Sequence, residues 1–299
     1  MAGRVQKALP GFRLSLGFSL TYLFVLVLFP LGACIVKAAS LSPEAFWNTV
    51  SAPQAVAAYK LSFTVSFLAG LGNAAIGLVT AWVLVRYDFP GRRILDTFVD
   101  LPLALPTAVA GITFNTLFVP NGWYGRHLGF LEPDGFVGKW FGPEGWFGRT
   151  ITTIDTRPHD GPFAIVLVLM FVGMPFVIRA LQPVLEELDA EQEEAASILG
   201  ASRWQTFRYV ILPAITPAWL TGFALAYARG LGEYGSVIFV ASNIPFETQI
   251  PPTLIVAKLD QFEYAEAAAI AAVLLGFSFL TLIAINLLER WSRRFDPAG

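Results

Sequence analysis

The sequence predicts an all-α membrane protein with six transmembrane helices. Its 299 residues are 55% hydrophobic and only 14% charged, whereas about a quarter of the residues of a soluble domain are charged. Six almost uncharged intervals also come close to the ~20 apolar residues that a helix needs to cross a bilayer. The length of these intervals defines the helices, because a segment that is apolar on all sides has no informative periodicity.

The six predicted spans form one transmembrane domain over residues 1–299, with a long loop between the third and fourth spans. The first span is too long for a signal peptide and lacks a small-residue cleavage site, so we expect it to be retained. The fifth contains two ionisable residues, Arg229 and Glu233. The spans cover residues 14–36, 61–85, 101–119, 163–185, 214–240 and 265–288.

The composition excludes several classes of function. One cysteine and two histidines cannot supply a thiolate or imidazole metal cage. The sequence has neither a G-x-x-x-x-G-K-[ST] nor a G-x-G-x-x-G motif, so we expect no ATP hydrolysis by this chain alone. A net charge of −2 is too small for a protein whose main partner is nucleic acid. We therefore predict no catalytic residue, no metal ligand and no cofactor in this chain.

The distribution of lysine and arginine predicts the orientation. If the N-terminus is cytoplasmic, the inner segments carry twelve basic residues and the outer segments seven. This excess on the inner side agrees with the positive-inside rule. Both termini are then cytoplasmic, and the loop 120–162 lies outside. This loop is rich in glycine and aromatic residues, which suits either the headgroup boundary or a docking surface for an extracytoplasmic partner.

Two places in the spans are candidates for a translocation pathway. Pro102 and Pro106 lack backbone N–H groups, and the carbonyls that they free can line a cavity or simply mark a kink. We group Thr107 with them. Arg229 and Glu233 stand four residues apart, near enough to pair on one helical face. Such charges are expensive inside a membrane and usually face the bundle interior or a wet cavity.

The polar segment 186–213, between spans four and five, predicts two short helices. Asp189 can cap the first helix, Gly200 can end it, and Ser202 can cap the second. One face of the second helix would carry Trp204, Phe207 and Ile211. By composition alone, the segment could be an amphipathic connector on the membrane surface.

The spacing within this segment resembles the loop that marks the membrane subunits of ABC importers. The matching residues are Glu194-Ala195-Ala196, Gly200 after three more residues, and Leu212-Pro213, with Val210 where an isoleucine is usual. The resemblance implies a cytoplasmic coupling helix that sits in a groove of the ATP-hydrolysing subunit. It assigns the contact with the ATPase to Glu194, Ala195, Ala196 and Gly200.

The resemblance extends over nearly the whole chain to the CysT family of sulfate/thiosulfate permease subunits. It implies a type I ABC importer permease fold in a bacterial inner membrane. It also implies a second, CysW-like permease subunit, two CysA-like ATPase subunits that bind ATP and Mg, and a periplasmic sulfate-binding protein. The stretch 142–161 is longer than the family pattern. The matching stretches are 9–12, 57–60, 86–87, 89–92, 100–102, 104–111, 182–188 and 231–233.

The sequence is compatible with three alternatives. The cargo could be a related oxyanion such as molybdate or tungstate, because much of the selectivity would reside in the binding protein. An ion-coupled secondary transporter would use Glu233 as its proton-carrying acid, although such a carrier has no need of a docking helix. A membrane-embedded enzyme would need a cluster of His, Asp or Cys at one depth.

Overall fold

The computed structural model describes residues 12–119, 122–124 and 161–293, and the regular elements in those ranges are helical. The prediction of an all-α chain is thus confirmed. The elements are α1 (Phe12–Leu23), α2 (Phe29–Ala38), α3 (Pro43–Val50), α4 (Pro53–Arg86), α5 (Arg92–Val99), α6 (Leu101–Ala104), α7 (Thr107–Phe118), α8 (Pro162–Glu187), α9 (Ala190–Ile198), α10 (Arg203–Thr206), α11 (Leu212–Leu231), α12 (Val237–Val240), α13 (Pro251–Asp260) and α14 (Tyr264–Arg293). Short π-helical turns join α1 to α2 and α10 to α11.

Five stretches in the described ranges are helical, long and apolar enough to cross a membrane. They correspond to the first, second, fourth, fifth and sixth predicted spans. Their bounds are Leu14–Ala38, Pro53–Arg86, Pro162–Glu187, Arg203–Leu231 and Tyr264–Ile285.

The third predicted span, residues 101–119, is not one continuous helix. Leu105 adopts an extended backbone between α6 and α7, as expected for a residue that precedes a proline. The 12 residues of α7 rise only about 18 Å, less than the ~30 Å hydrocarbon core. The expectation of a full-length helix here is wrong, and the count of six spans stays a prediction. Most of the predicted loop 120–162 lies outside the described residues.

Helices α4, α8 and α11 form the packed centre of the molecule. Small residues allow their close approach, because a Cβ atom at Gly77 would lie 2.7 Å from the side chain of Val177, and one at Gly222 would lie 2.8 Å from the Val177 backbone. Trp219 of α11 also donates a hydrogen bond of 2.8 Å to the Ala74 carbonyl of α4. The close approach at Gly77 and Gly222 is the packing by small residues that is typical of helices in lipid.

A polar network fixes α5 and α6 against α8. Arg179 donates to both carboxylate oxygens of Asp100, at 2.8 and 2.6 Å, and to Asp96 at 2.7 Å. Gln182 donates to the same Asp96 oxygen at 2.9 Å. The hydrogen bond from Gln182, together with Arg179, holds the pKa of Asp96 below its usual value. The stability that this provides is present above the unfolded pKa of about 4 and is lost as the pH falls through the lower folded value.

The bundle has two ends that carry different short helices. One end carries α9 and α10 and is called the segment end; the other carries α3 and α13 and is called the far end. Helix α4 runs from the far end to the segment end, where Arg86 forms an ion pair with Glu193 of α9. The candidate functional residues are located relative to these two ends.

Cysteine labelling tests the predicted orientation. We expect Glu44→Cys at the far end and Glu191→Cys at the segment end to react from opposite sides of the membrane in a Cys34→Ala background. Both native glutamates are exposed, so a membrane-impermeant maleimide should reach either label in intact cells or in inside-out vesicles. Reaction of both labels from one side would show that the topology is wrong.

Candidate coupling segment and pathway residues

The segment 186–213 folds as two short helices joined at a glycine, as predicted. Helix α9 starts after Asp189, whose side chain makes no capping hydrogen bond, so the expected cap is absent. Two acidic residues in the first turn, Glu191 and Glu193, are favourably placed at the positive end of the helix dipole. The local sequence therefore favours the start of the helix through charge and not through the predicted side-chain cap.

The turn between α9 and α10 is built from local chemistry. Gly200 has φ +83°, the left-handed conformation that side chains resist. The Ala201 N–H donates to the Ala196 carbonyl, and the Gly200 N–H donates to the Ser197 carbonyl, each at 3.0 Å, which together form a Schellman motif. Ser202 and Gln205 then form a capping box on α10. The turn geometry is thus fixed where the sequence predicts it.

Gly200→Val is expected to reduce transport at least tenfold, because a branched side chain is strained at positive φ. Gly91→Val is the matched control, since Gly91 has φ +90° and, like Gly200, has open space around its Cβ position. Both variants carry the same backbone penalty, but only Gly200 lies in the segment. Equal loss of uptake in the two variants would mean that general destabilisation, not the segment, is responsible.

Two contacts hold the segment against the bundle. Arg86 of α4 pairs with Glu193 at 2.5 Å, and the ring of Trp82 meets Phe207 edge-on at 5.9 Å. Within the segment itself, Phe207 stacks on Trp204 at 5.6 Å. The segment is therefore mechanically connected to α4 as well as to α11, which continues directly from it.

The tip of the segment is apolar and uncovered. The side chains of Ile198 and Leu199 are 85% and 87% exposed. Glu194 and Ala195 are also exposed, whereas Ala196 is half-buried. Adjacent exposed aliphatic side chains are typical of a protein contact surface. Sequence reasoning did not single out Ile198 and Leu199, although two large aliphatic residues before the glycine of a polar segment were an available signal.

The predicted pair in span five is present, but its setting is different. Arg229 and Glu233 form an ion pair of 2.7 Å, with the Glu233 side chain only 2% exposed. Helix α11 ends at Leu231, so Glu233 lies in a turn and the prediction of one helix over 214–240 is wrong. The second Glu233 oxygen accepts hydrogen bonds of 3.0 Å from the N–H and the hydroxyl of Ser236.

The same turn contacts the start of α7. The side chain of Thr107 lies against Gly235, and Gly111 lies against the backbone of Ser236, so closely that a Cβ atom at either glycine would clash. The structure thus brings Thr107 next to the turn that contains Glu233. Pro106 is the N-cap residue of α7, whereas Pro102 is buried in α6, on the other side of the break at Leu105.

The family model "Binding-protein-dependent transport system inner membrane component" matches residues 73–294 of this chain. Among the similar proteins is the sulfate transport system permease protein CysT of Escherichia coli, which is 43% identical over 97% of this chain and 96% of its own length. CysT of Synechocystis sp. is 43% identical over 93% of this chain and 89% of its own length. The probable CysT of Marchantia polymorpha is 37% identical over 97% and 92%, respectively.

Two solved structures share the fold at 19% sequence identity. One belongs to a bacterial ABC transporter involved in the import of the acidic polysaccharide alginate, with a TM-score of 0.67 over 95% of this chain and 96% of that chain. The other is a bacterial alginate ABC transporter in complex with an alginate pentasaccharide-bound periplasmic protein, with a TM-score of 0.70 and 96% coverage of both chains. The predicted fold of an ABC importer permease is confirmed.

Proposed function

The chain belongs to the family of binding-protein-dependent transport system inner membrane components, and on that basis we propose that it is a permease subunit of an ATP-driven sulfate importer. The observation that carries this proposal is the 43% identity to the sulfate permease subunit of Escherichia coli, which extends over almost the full length of both chains. The chain would form half of the translocation pathway, and the cargo would be sulfate or thiosulfate.

The exposed tip of the segment supports docking to an ATPase subunit. Ile198 and Leu199 offer apolar surface, and Glu194 and Ala195 lie exposed beside them. Because Arg86 ties the segment to the end of α4, a displacement of the tip would be transmitted to the bundle. ATP and Mg would be bound by the ATPase subunit, and this chain would act as a non-enzymatic part of the machine.

We infer that the segment end faces the cytoplasm, together with both termini, and that the membrane is the bacterial inner membrane. The complex would contain a second, CysW-like permease subunit, two CysA-like ATPase subunits and a periplasmic sulfate-binding protein. The periplasmic protein in one of the structurally similar transporters supports the last partner. The far end offers it two exposed aromatic side chains, Phe246 and Phe262, each on a left-handed backbone.

The proposed pathway residues are those around the turn that follows α11. Arg229 would supply positive potential to a divalent oxyanion, while Glu233 would balance this charge and keep binding weak enough for release. Thr107 lies against the same turn, and the proline-bounded break at Leu105 would leave backbone carbonyls free for the cavity. A transport pathway needs weak sites, so no tight anion cage is expected.

The competing secondary-transport mechanism is less compatible with this geometry. A proton-carrying acid must bind and release its proton during the cycle, but Glu233 is already engaged by Arg229 and Ser236. Glu233 is therefore better suited to a permanent ion pair than to a proton relay.

Oxyanion-stimulated ATPase activity of the purified complex tests the proposed cargo. The chain should copurify with a second permease subunit and ATPase subunits, and sulfate-loaded binding protein should raise ATP hydrolysis in liposomes. Thiosulfate and molybdate, each loaded onto the same binding protein, provide the comparison. Stimulation by molybdate without stimulation by sulfate would assign the chain to a different oxyanion.

A further inference from the structure

An apolar groove lies at the far end between α3, α4 and α14. Its cavity measures about 610 Å³. The aromatic rings of Phe63 and Phe277 meet edge-on at 5.4 Å and form part of its wall. The other apolar lining residues include Phe46, Trp47, Val50 and Val273.

The lining also includes four polar residues, Ser51, Tyr59, Lys60 and Thr64. Tyr59 is only 8% exposed, and its hydroxyl has no hydrogen-bond partner within the described part of the chain. Leaving such a buried hydroxyl unsatisfied costs roughly 1–3 kcal/mol. Next to it, the exposed Lys60 forms no ion pair with any side chain that the structure describes. The groove therefore offers a hydroxyl donor and a cation that lack partners.

The groove lies where the bilayer changes from headgroups to hydrocarbon. The 34 residues of α4 extend for about 51 Å, which exceeds the ~30 Å hydrocarbon core. With the segment end of α4 near one membrane surface, Tyr59 and Lys60 fall at the headgroup level of the opposite leaflet. Phe63 and Phe277 lie further along their helices and so fall deeper. The cation of Lys60 thus lies at headgroup level, and the rings of Phe63 and Phe277 lie nearer the bilayer centre.

We propose that this groove is a specific phospholipid site. One acyl chain fills the apolar trough, the lipid phosphate pairs with Lys60, and the Tyr59 hydroxyl donates to an ester oxygen of the lipid. A phospholipid has this amphipathic order of phosphate, ester and hydrocarbon along its length. Lys60 makes the site selective for lipids with net negative charge. A zwitterionic lipid carries a cationic group beside its phosphate, and this group would repel the Lys60 ammonium.

Native mass spectrometry of the purified complex, titrated with phosphatidylglycerol or phosphatidylcholine, tests the site. The unmodified complex should retain one phosphatidylglycerol molecule at least tenfold more tightly than phosphatidylcholine. Thr64→Trp places a bulky ring on an exposed lining position and should lower retention of both lipids at least tenfold. Lys60→Gln should abolish the preference for phosphatidylglycerol while phosphatidylcholine binding remains.

Matched controls separate this site from general lipid contact. Val79→Trp adds the same ring at an exposed position of α4 outside the groove, and Lys37→Gln removes another exposed cation. Neither control should change lipid retention. Equal retention in Thr64→Trp and the unmodified complex would overturn the proposal. Loss of the second permease subunit in Thr64→Trp, but not in Val79→Trp, would also overturn it by showing that a protein partner covers the groove.

Discussion

Replacing both Ile198 and Leu199 by aspartate should abolish ATP-driven uptake while the chain remains folded in the membrane. Both residues are almost fully exposed, so the substitution removes little packing within the described structure. Burial of two such side chains in a partner's groove contributes about 3–5 kcal/mol, which corresponds to an affinity change of at least a hundredfold. We therefore expect most of the ATPase subunit to dissociate from the variant at cellular concentrations.

Copurification of the ATPase subunit with the variant chain measures this effect directly. The control is the exchange Ile198→Leu with Leu199→Ile, which keeps apolar surface at the tip and should keep both the complex and its uptake. Chain abundance and thermal unfolding should match the unmodified protein in both variants. Full retention of the ATPase subunit by the aspartate variant would show that the tip is not the docking contact.

Arg229→Gln should reduce uptake at least tenfold and also lower the yield of assembled complex. This change leaves the carboxylate of Glu233, only 2% exposed, without its cation, and an unpaired buried charge typically costs about 3–5 kcal/mol. Glu233→Gln should be milder, because the glutamine carbonyl can still accept from Ser236 and the more exposed Arg229 can be solvated. Thermal unfolding of the purified complex separates the two variants.

The double variant, Arg229→Gln with Glu233→Gln, distinguishes a structural role from a role in transport. It removes the buried unpaired charge, so assembly and thermal stability should return to near those of the unmodified complex. Uptake should remain reduced, because the positive potential proposed for the oxyanion pathway is also gone. Normal uptake in the double variant would limit the pair to holding the turn after α11.

The parts of the site that follow local rules could be predicted from the sequence. Gly200 ends a helix because its left-handed backbone permits the Schellman hydrogen bonds, and Ser202 with Gln205 begins the next one. The pairing of Arg229 with Glu233 also followed from their separation along the chain. Each of these features depends on residues that lie within about five positions of one another, so the local sequence is sufficient to predict it.

The missed features depend on breaks or on distant contacts. Hydropathy gives the length of an apolar interval but not its continuity, so the breaks at Leu105 and after Leu231 were hidden within predicted spans. The network of Arg179 joins residues of α5 and α6 to α8 across the fold. Likewise, the exposure of Ile198 and Leu199 depends on how the segment docks on α4, which local spacing does not determine.

Uptake of labelled sulfate into proteoliposomes tests the central claim most directly. The vesicles would contain this chain, its partner permease and the ATPase subunits, with sulfate-loaded binding protein on the far-end side and ATP on the segment-end side. We expect sulfate accumulation that requires ATP hydrolysis and is lost with the Ile198→Asp and Leu199→Asp double variant. Sulfate accumulation driven by a proton gradient without ATP, or its persistence in that variant, would contradict the assignment as an ATP-driven importer subunit.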